Sequence, residues 1–462
     1  MTLISSVSGI RGTIGGKVHT NLTPVDIVSF AAAYGCWIKT SYQSQCTVVI
    51  GRDARISGPM VQELVQQTLV ALGINVIDVG LSTTPTVEME VVRQKAQGGI
   101  ILSASHNPKQ WNALKLLNSK GEFISQADGQ LLMEFVSNQT FEFSEVDALG
   151  SVTQVDTALS AHIDAILAHP LVDVAAIKSK GFKVVVDGVN SSGGVAVPML
   201  LEKLGAHTTP IHCTPNGEFP HNPEPLKENL TNLSEVVRSS DAQLGIAVDP
   251  DVDRLVFVDE HGVLFGEEYT LVCCADYVLQ HQKGAVVSNL SSSRALADLA
   301  TTHQVHYYAS AVGEVHVVEK MKAVDAVIGG EGNGGIILPS LHYGRDALIG
   351  IALFLSYLAK DAVAVSQLKK RYENYVMRKQ KIGLSPDWDV DALLVFVVET
   401  FQSEQVTTID GVKIDFDDSW IHLRKSNTEP IIRLYAEASN EAVIEQRIKT
   451  IEAAIAAFVA SV

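Results

Sequence analysis

The chain has 462 residues, 46% of them apolar, and a formal net charge of −17 at neutral pH. At roughly 100–200 residues per domain that length predicts three or four domains with real cores. The acidity argues against a nucleic-acid partner, which needs basic patches, and no apolar run approaches membrane length, which argues against a membrane partner.

In chain order, the start Met1-Thr-Leu-Ile-Ser-Ser lacks a positive segment before an apolar run, so no secretory signal is expected. Ser8-Gly-Ile-Arg-Gly12 then sets Arg11 between glycines. One pattern recurs three times: Thr47-Val-Val-Ile50 runs into Gly51-Arg-Asp-Ala-Arg55, Lys183-Val-Val-Val186 into Asp187-Gly-Val-Asn-Ser-Ser-Gly-Gly194, and Ala285-Val-Val287 into Ser288-Asn-Leu-Ser-Ser-Ser293. Each is a β-branched run, a loop of small residues and a helical stretch, the unit of a mainly parallel sheet. After Arg371 the chain turns polar, then reads as short strands at 407–409, 412–416, 420–423 and 431–435, closed by a helix over 441–460. The expected fold class is three similar mixed-sheet α/β domains at 1–155, 156–258 and 259–370, followed by a C-terminal α+β domain at 371–462. Five cysteines, an odd number without a C-x-x-C pair, predict reduced, buried thiols and a soluble cytoplasmic protein.

Four segments carry candidate chemistry. Asp249-Pro-Asp-Val-Asp-Arg254 puts three carboxylates at alternate positions between the apolar runs 244–248 and 255–258. Like charges this close raise each other's pKa unless a cation holds them ionised. Oxygen-only ligands on a bent strand suit Mg²⁺, with a solvated acidic turn as the plain alternative. An EF-hand is excluded, because its sixth position would be Arg254 where the turn needs glycine. An aspartate-nucleophile phosphatase stays open at this point. Ser103-Ala-Ser-His-Asn-Pro108 follows the buried-type run 100–102. It reads either as a turn or as an exposed serine with His106 and Lys115 supplying positive charge. Gly329-Gly-Glu-Gly-Asn-Gly-Gly335 holds five glycines in seven residues and is expected to lack regular structure, with its backbone close to a ligand. Arg424-Lys-Ser-Asn-Thr-Glu-Pro430, with Arg433 beyond, offers the forked donors and hydroxyls that suit a phosphate dianion, against a plain charged hairpin.

With these four motifs in this order, the chain resembles the α-D-phosphohexomutase superfamily over its whole length. The segment 103–108 is similar to that family's phosphoserine loop, 249–254 to its metal loop, 330–335 to its sugar-specificity loop and 424–430 to its phosphate-binding loop. The resemblance implies a four-domain, heart-shaped architecture with a central cleft. Within the superfamily the chain looks most like the phosphoglucosamine mutases, and Ser-Asn-Thr-Glu-Pro also occurs in phosphomannomutase/phosphoglucomutase members. Gly335 and Glu314 stand where many members carry histidines.

The resemblance further implies an intramolecular phosphotransferase that exchanges hexose 6-phosphate and hexose 1-phosphate, with a sugar bisphosphate as activator. Ser105 becomes the phosphoserine and, with Asp249, Asp251 and Asp253, a ligand of Mg²⁺. Arg11, Lys115 and Arg254 steady the transferring group; His106 orients the serine loop, and Lys115 moves a proton if its pKa is depressed. Gly313, Glu331 and Asn333 read the sugar. Arg424, Ser426, Asn427, Thr428 and Arg433 hold the phosphate that is not reacting. The expected partner is a small hexose phosphate, and the expected assembly a monomer or homodimer. The rivals are phosphomannomutase/phosphoglucomutase activity, the phosphatase, and a non-catalytic sugar-phosphate-binding regulator.

Overall fold

The computed structural model describes residues 2–6, 9–42, 45–385, 388–425 and 431–461. Four separate sheets follow one another along the chain. The first has seven strands in the order Ile4–Ser6, Gly9–Thr13, Trp111–Leu117, Gly98–Leu102, Thr47–Arg52, Asn75–Leu81 and Val152–Gln154. The second runs Leu255–Asp259, Leu244–Val248, Lys183–Asp187, His207–Ile211, and the third Tyr307–Ser310, Val286–Asn289, Ile328–Glu331, Gly335–Ile337. The fourth, all antiparallel, runs Val376–Gly383, Ile431–Ala438, Ser419–Lys425, Val412–Asp415, Gln405–Thr407.

The first three sheets share one device. A parallel set of strands meets an antiparallel hairpin: Gly98–Leu102 with Trp111–Leu117, Leu244–Val248 with Leu255–Asp259, and Ile328–Glu331 with Gly335–Ile337; in the first sheet Gly9–Thr13 and Ile4–Ser6 add two more antiparallel strands beyond it. The first two of these hairpins open with strands buried at every residue, Gly98–Leu102 and Leu244–Val248, which explains their unbroken apolar runs. The connections inside the hairpins are 103–110, 249–254 and 332–334, and the fourth sheet repeats the arrangement with 426–430 between Ser419–Lys425 and Ile431–Ala438. The motifs at 103–108, 249–254 and 330–335 therefore share one topological position, at the tip of a hairpin, and Arg424 and Lys425 of the fourth motif end the strand Ser419–Lys425.

The glycine-rich segment corrects one expectation. Gly329, Gly330 and Glu331 are strand, and Gly335 begins the next one. The glycines serve close approach. Gly330 has φ 157° and a Cβ there would lie 2.0 Å from the Gly335 carbonyl oxygen, while one on Gly334 would meet the Leu255 carbonyl oxygen at 2.4 Å. The tail also holds two elements the sequence reading passes over, the strand Val376–Gly383 and the helix Val390–Thr400. The strand hides because it sits at the sheet edge and reads Val-Met-Arg-Lys-Gln-Lys, a charged run with little apolar alternation.

The cores do not follow the sheets one to one. A single apolar cluster extends from Ile163 to Leu368 and fills the space between the second and third sheets. Phe257 of the second sheet stacks on Phe354 of the helix Ala347–Asp361 with ring centroids 3.7 Å apart, and Phe265 meets the same ring edge-on at 5.4 Å. The first and fourth sheets have cores of their own. All five cysteines are free thiols, and Cys46, Cys273 and Cys274 are buried. Among the described residues no helix is long and apolar enough to cross a membrane.

Candidate active site

The serine loop is held from behind by one buried arginine. Arg55 is fully buried, and its Nε donates to Asp53 Oδ2 at 3.0 Å. Its Nη1 donates to the carbonyls of Pro108 (2.7 Å) and Trp111 (3.0 Å), and its Nη2 to those of Ser105 (2.5 Å) and Asn107 (2.6 Å). All five guanidinium N–H groups are thus satisfied. Ser105 itself has φ 50°, the left-handed region. Such a conformation costs a non-glycine residue on the order of 1–3 kcal/mol and persists only where its surroundings enforce it. Here the Ser105 amide donates to Ser103 Oγ at 2.9 Å, and Ser103 Oγ donates to Asp53 Oδ2 at 2.8 Å.

That geometry aims Ser105 at the carboxylate loop of the second sheet. Ser105 Oγ donates to Asp249 Oδ2 at 2.6 Å and lies 3.3 Å from His106 Nδ1. Asp249, Asp251 and Asp253 are fully buried, and each offers an oxygen within 4.8 Å of the others. Asp249 Oδ1 accepts the amides of Asp253 and Arg254, both at 3.1 Å. Asp251 Oδ2 accepts from Thr84 Oγ1 (2.7 Å) and Lys115 Nζ (2.6 Å), and Asp253 Oδ2 from Lys115 Nζ (3.3 Å) and Arg345 Nη2 (2.8 Å). The second oxygen of Asp251 and of Asp253 is buried and accepts no hydrogen bond, apart from a long approach of Arg254 Nε to Asp253 Oδ1 at 3.9 Å. A buried acceptor left unsatisfied costs about 1–3 kcal/mol, more when charged. Two of them turned to one cluster of carboxylates, with oxygen-only donors, fit a hard divalent cation.

The charges sort as this arrangement requires. Burial, then Asp253 and Asp251, push the Asp249 carboxyl well above its ordinary range. Burial acts the same way on Asp251 but is overcome by Lys115 and Thr84, which hold it far below that range. Asp253 is held low, against burial, by Arg345 and Lys115. For Lys115 burial favours the neutral amine, yet Asp251 and Asp253 outweigh it and hold its pKa above the usual lysine value. With the carboxylates ionised and facing it, Lys115 supplies positive charge to Asp251 and Asp253. Burial, with Arg254 and Arg11 close by, keeps His106 neutral well below its ordinary pKa.

Arg345 carries the site into the third sheet. Its Nη2 meets Asp253, its Nη1 meets Glu331 Oε2 at 2.8 Å and its Nε meets Glu314 Oε2 at 2.9 Å. One guanidinium serves three carboxylates. Burial pushes the Glu314 carboxyl up to about 7 despite Arg345. Glu331 is 4% exposed, and its Oε1 accepts from Asn289 Nδ2 (2.7 Å) and the Gly313 amide (3.1 Å). Asn289, the Gly313 amide and Arg345 thus fix the Glu331 carboxylate in place, while Asn333 lines the open space beside it.

That space is a cleft of about 1690 Å³, lined among others by Arg11, His106, Arg254, Asn333, Arg424 and Arg433. Lys379, Lys381 and Lys425 add to its positive lining, against Glu134, Glu224, Glu228 and Glu267. An acidic chain thus gathers cations at one place. In the fourth sheet, Arg433 pairs in register with Lys381 on one side and Arg424 on the other, three cations abreast on one face. Directly opposed like charges destabilise a sheet unless an anion bridges them. Arg424 Nη2 also meets Asp410 Oδ2 at 2.9 Å, and the same oxygen accepts the Val312 amide at 2.9 Å, which ties this sheet to the Val312-Gly-Glu314 turn. Ser426, Asn427 and Thr428 lie outside the described residues.

The alpha/beta/alpha domain I, II and III models of phosphoglucomutase/phosphomannomutase match residues 3–143, 160–262 and 266–375, and the C-terminal domain model matches 363–455. The chain belongs to the phosphoglucomutase/phosphomannomutase family. Members of this family are isomerases that act as phosphotransferases. The chain is 34% identical over 454 residues to a phosphoglucomutase/phosphomannomutase of Thermococcus kodakarensis, covering 96% of this chain and 98% of that one. It is 31% identical over 450 residues to a phosphoglucosamine/phosphogalactosamine mutase of Sulfurisphaera tokodaii, covering 96% and 97%. A phosphoglucomutase/phosphomannomutase family protein from Burkholderia thailandensis has a solved structure at TM-score 0.85 and 25% identity, covering 98% of each chain.

Measured against this family member's geometry, the sequence reading leaves out Arg55, Arg345, Thr84, Lys379 and Lys381. The signal for Arg55 is faint: Asp53-Ala-Arg55 reads as an ordinary strand-to-helix loop. Arg345 stands next to Asp346, whose side chain caps the helix Ala347–Asp361; a basic residue beside a helix cap carries no hint of its partners.

Proposed function

We propose that this protein is a phosphohexomutase that interconverts hexose 6-phosphate and hexose 1-phosphate through a phosphorylated Ser105 and a bisphosphorylated sugar, with glucosamine phosphate as substrate. The observation that carries the reading is the 2.6 Å contact of Ser105 Oγ with Asp249, beside carboxylate oxygens of Asp251 and Asp253 that have no hydrogen-bond partner. Asp249, Asp251 and Asp253, with an oxygen carried on Ser105, would hold Mg²⁺. When bound there the ion supplies Lewis-acid stabilisation of phosphate charge.

The chain's own groups do the rest. Arg55 fixes the serine loop so that the phosphorus carried on Ser105 Oγ presents the face opposite Oγ to an incoming hydroxyl. The Ser105 Oγ–phosphorus bond breaks as the sugar oxygen bonds to phosphorus, and the proton lost by the sugar hydroxyl passes through cleft water to the freed Ser105 oxygen; the reverse transfer from the other phosphate of the bisphosphate restores the phosphoserine. Arg11 and Arg254 neutralise the transferring group, His106 orients the loop, and Lys115 keeps Asp251 and Asp253 ionised. Gly313, Glu331 and Asn333 read the sugar, with Arg345 and the Gly313 amide holding the Glu331 carboxylate in position. Lys381, Arg433 and Arg424, with Ser426, Asn427 and Thr428, anchor the other phosphate. A row of cations recognises a phosphate dianion without regard to the ring that bears it, as a bisphosphate that turns over in place requires. The added sugar bisphosphate acts as activator because it recharges Ser105.

Glucosamine phosphate is supported by the Sulfurisphaera relative's name. The Thermococcus relative's name supports mannose or glucose phosphate as the second reading. The deciding experiment is a mutase assay on glucosamine, mannose and glucose phosphates, primed with catalytic bisphosphate. Ser105→Ala is expected to abolish turnover while hexose phosphate still binds. Labelled phosphorus that never reaches the protein during turnover would overturn the covalent step, and a preference for mannose or glucose phosphate would replace glucosamine.

A further inference from the structure

A second cluster of metal-ligating side chains lies in the second sheet, apart from the carboxylate loop. Asp187 ends the strand Lys183–Asp187 and is 1% exposed. His212 follows the neighbouring parallel strand His207–Ile211, and His221 returns from the loop beyond it. Asp187 Oδ2 lies 3.0 Å from His212 Nδ1 and 3.1 Å from His221 Nε2, and one donor atom from each residue falls within 4.8 Å of the others. The His212 and His221 side chains are 22% and 16% exposed, so the cluster is covered on one side and open on the other.

The hydrogen bonds around His221 point to a cation. Its Nδ1 lies 2.8 Å from the Asn222 carbonyl oxygen, which can only accept, so Nδ1 carries a hydrogen. In a neutral imidazole the other nitrogen then presents a lone pair. That lone pair faces a carboxylate oxygen at 3.1 Å, a contact between two acceptors that needs a positive charge between them. An imidazole whose far N–H is fixed by a carbonyl is also the usual second-shell arrangement of a metal-bound histidine. The spacing suits the ion: zinc bonds of about 2.0–2.2 Å in tetrahedral geometry place neighbouring donors roughly 3.4 Å apart. Two imidazoles and one carboxylate favour a transition metal over Mg²⁺.

We propose that Asp187, His212 and His221 form a zinc-class divalent metal site with its remaining position open to water. The metal pins the return loop, and that loop braces the serine-loop support. Phe219 lies under the Arg55 guanidinium, 5.1 Å from its ring centroid, and Glu218 pairs with Lys109 at 2.7 Å. Gly217 packs so tightly on the first sheet that a Cβ there would lie 2.2 Å from the Ala54 carbonyl oxygen. The competing occupant is a proton on His221, which would make an ion pair with Asp187. For His221 burial opposes protonation, but the bond and charge of Asp187 outweigh it and raise its pKa, so the proton is a direct competitor of the metal for this position.

Cobalt separates them. The full-length protein is titrated with Co²⁺ in excess Mg²⁺, which occupies the carboxylate loop. One equivalent of intense visible ligand-field absorption is expected, lost in both His212→Ala and His221→Gln. Stoichiometric Zn²⁺ is expected to raise the melting temperature of the wild type and of neither variant. Circular dichroism and metal-free melting establish that the variants fold. His212 is partly exposed, so its truncation leaves the core intact. Absence of the band, its survival in both variants, or imidazole NMR with Zn²⁺ present that finds hydrogens on both His221 nitrogens would each overturn the site.

Discussion

The sharpest prediction concerns Arg55, which bonds Asp53 and the serine loop and none of Asp249, Asp251 and Asp253. In Arg55→Lys the charge stays, but an ammonium has three donors where the guanidinium uses five. At least two of the five acceptors, Asp53 Oδ2 and the carbonyls of Ser105, Asn107, Pro108 and Trp111, then lose their Arg55 donor. At about 1–3 kcal/mol each, the loop loses on the order of 2–6 kcal/mol. That matches or exceeds the strain of roughly 1–3 kcal/mol stored in the Ser105 backbone, so the φ of 50° is no longer enforced. Each 1.4 kcal/mol is about tenfold in a local equilibrium, so hydrogen exchange of the amides over 103–111 should quicken by more than tenfold. Mutase turnover should fall by about 100-fold, the scale of a misplaced reacting group, while KM for hexose phosphate changes little. Exchange rates and turnover both at wild-type values would refute the reasoning, because they would mean that the serine loop holds its own shape.

Three further outcomes follow from other contacts. Asp251→Asn should weaken Mg²⁺ binding by at least tenfold in calorimetry, since it removes an ionised carboxylate that Lys115 holds ready; unchanged affinity would place the ion elsewhere. Arg433→Ala should raise KM for hexose phosphate by about 10- to 100-fold and flatten its salt dependence, because a charge-assisted hydrogen bond contributes about 1.5–3 kcal/mol; a loss confined to kcat would contradict an anchoring role. The Glu314 carboxyl is raised from 4.5 to about 7, so its stabilising contribution is complete below pH 4.5 and lost as the pH rises through about 7. At about 1.4 kcal/mol per pH unit the difference is on the order of 3 kcal/mol. Glu314→Gln should therefore melt with the wild type in acid and above it beyond pH 7, and equal melting at both ends would remove the buried, protonated carboxyl.

The hairpin tips were legible because each is a short polar segment between apolar runs. Asp249-Pro-Asp-Val-Asp-Arg254 reads correctly for a local reason: its strands pair with each other, so chain proximity and spatial proximity coincide. The partners of these tips were not legible. Lys115 and Asp251 are 136 residues apart, and Arg345 and Asp253 are 92 apart, contacts set by how the sheets pack. The glycine-rich segment was misjudged because abundant glycine suggests freedom, whereas here it permits a tight hairpin against Leu255. The contacts that orient Glu331 were not legible either, because Asn289 and Arg345 are distant from it in the chain.

The common core of the second and third sheets decides how far the chain can be dissected. A cut between them would strip solvent cover from Phe257, Phe265 and Phe354 together, exposing one continuous oily face on each half. Four family modules therefore amount to three separable pieces. Grafting or swapping between relatives should succeed at the borders of the first and last, and fail wherever the middle pair is parted.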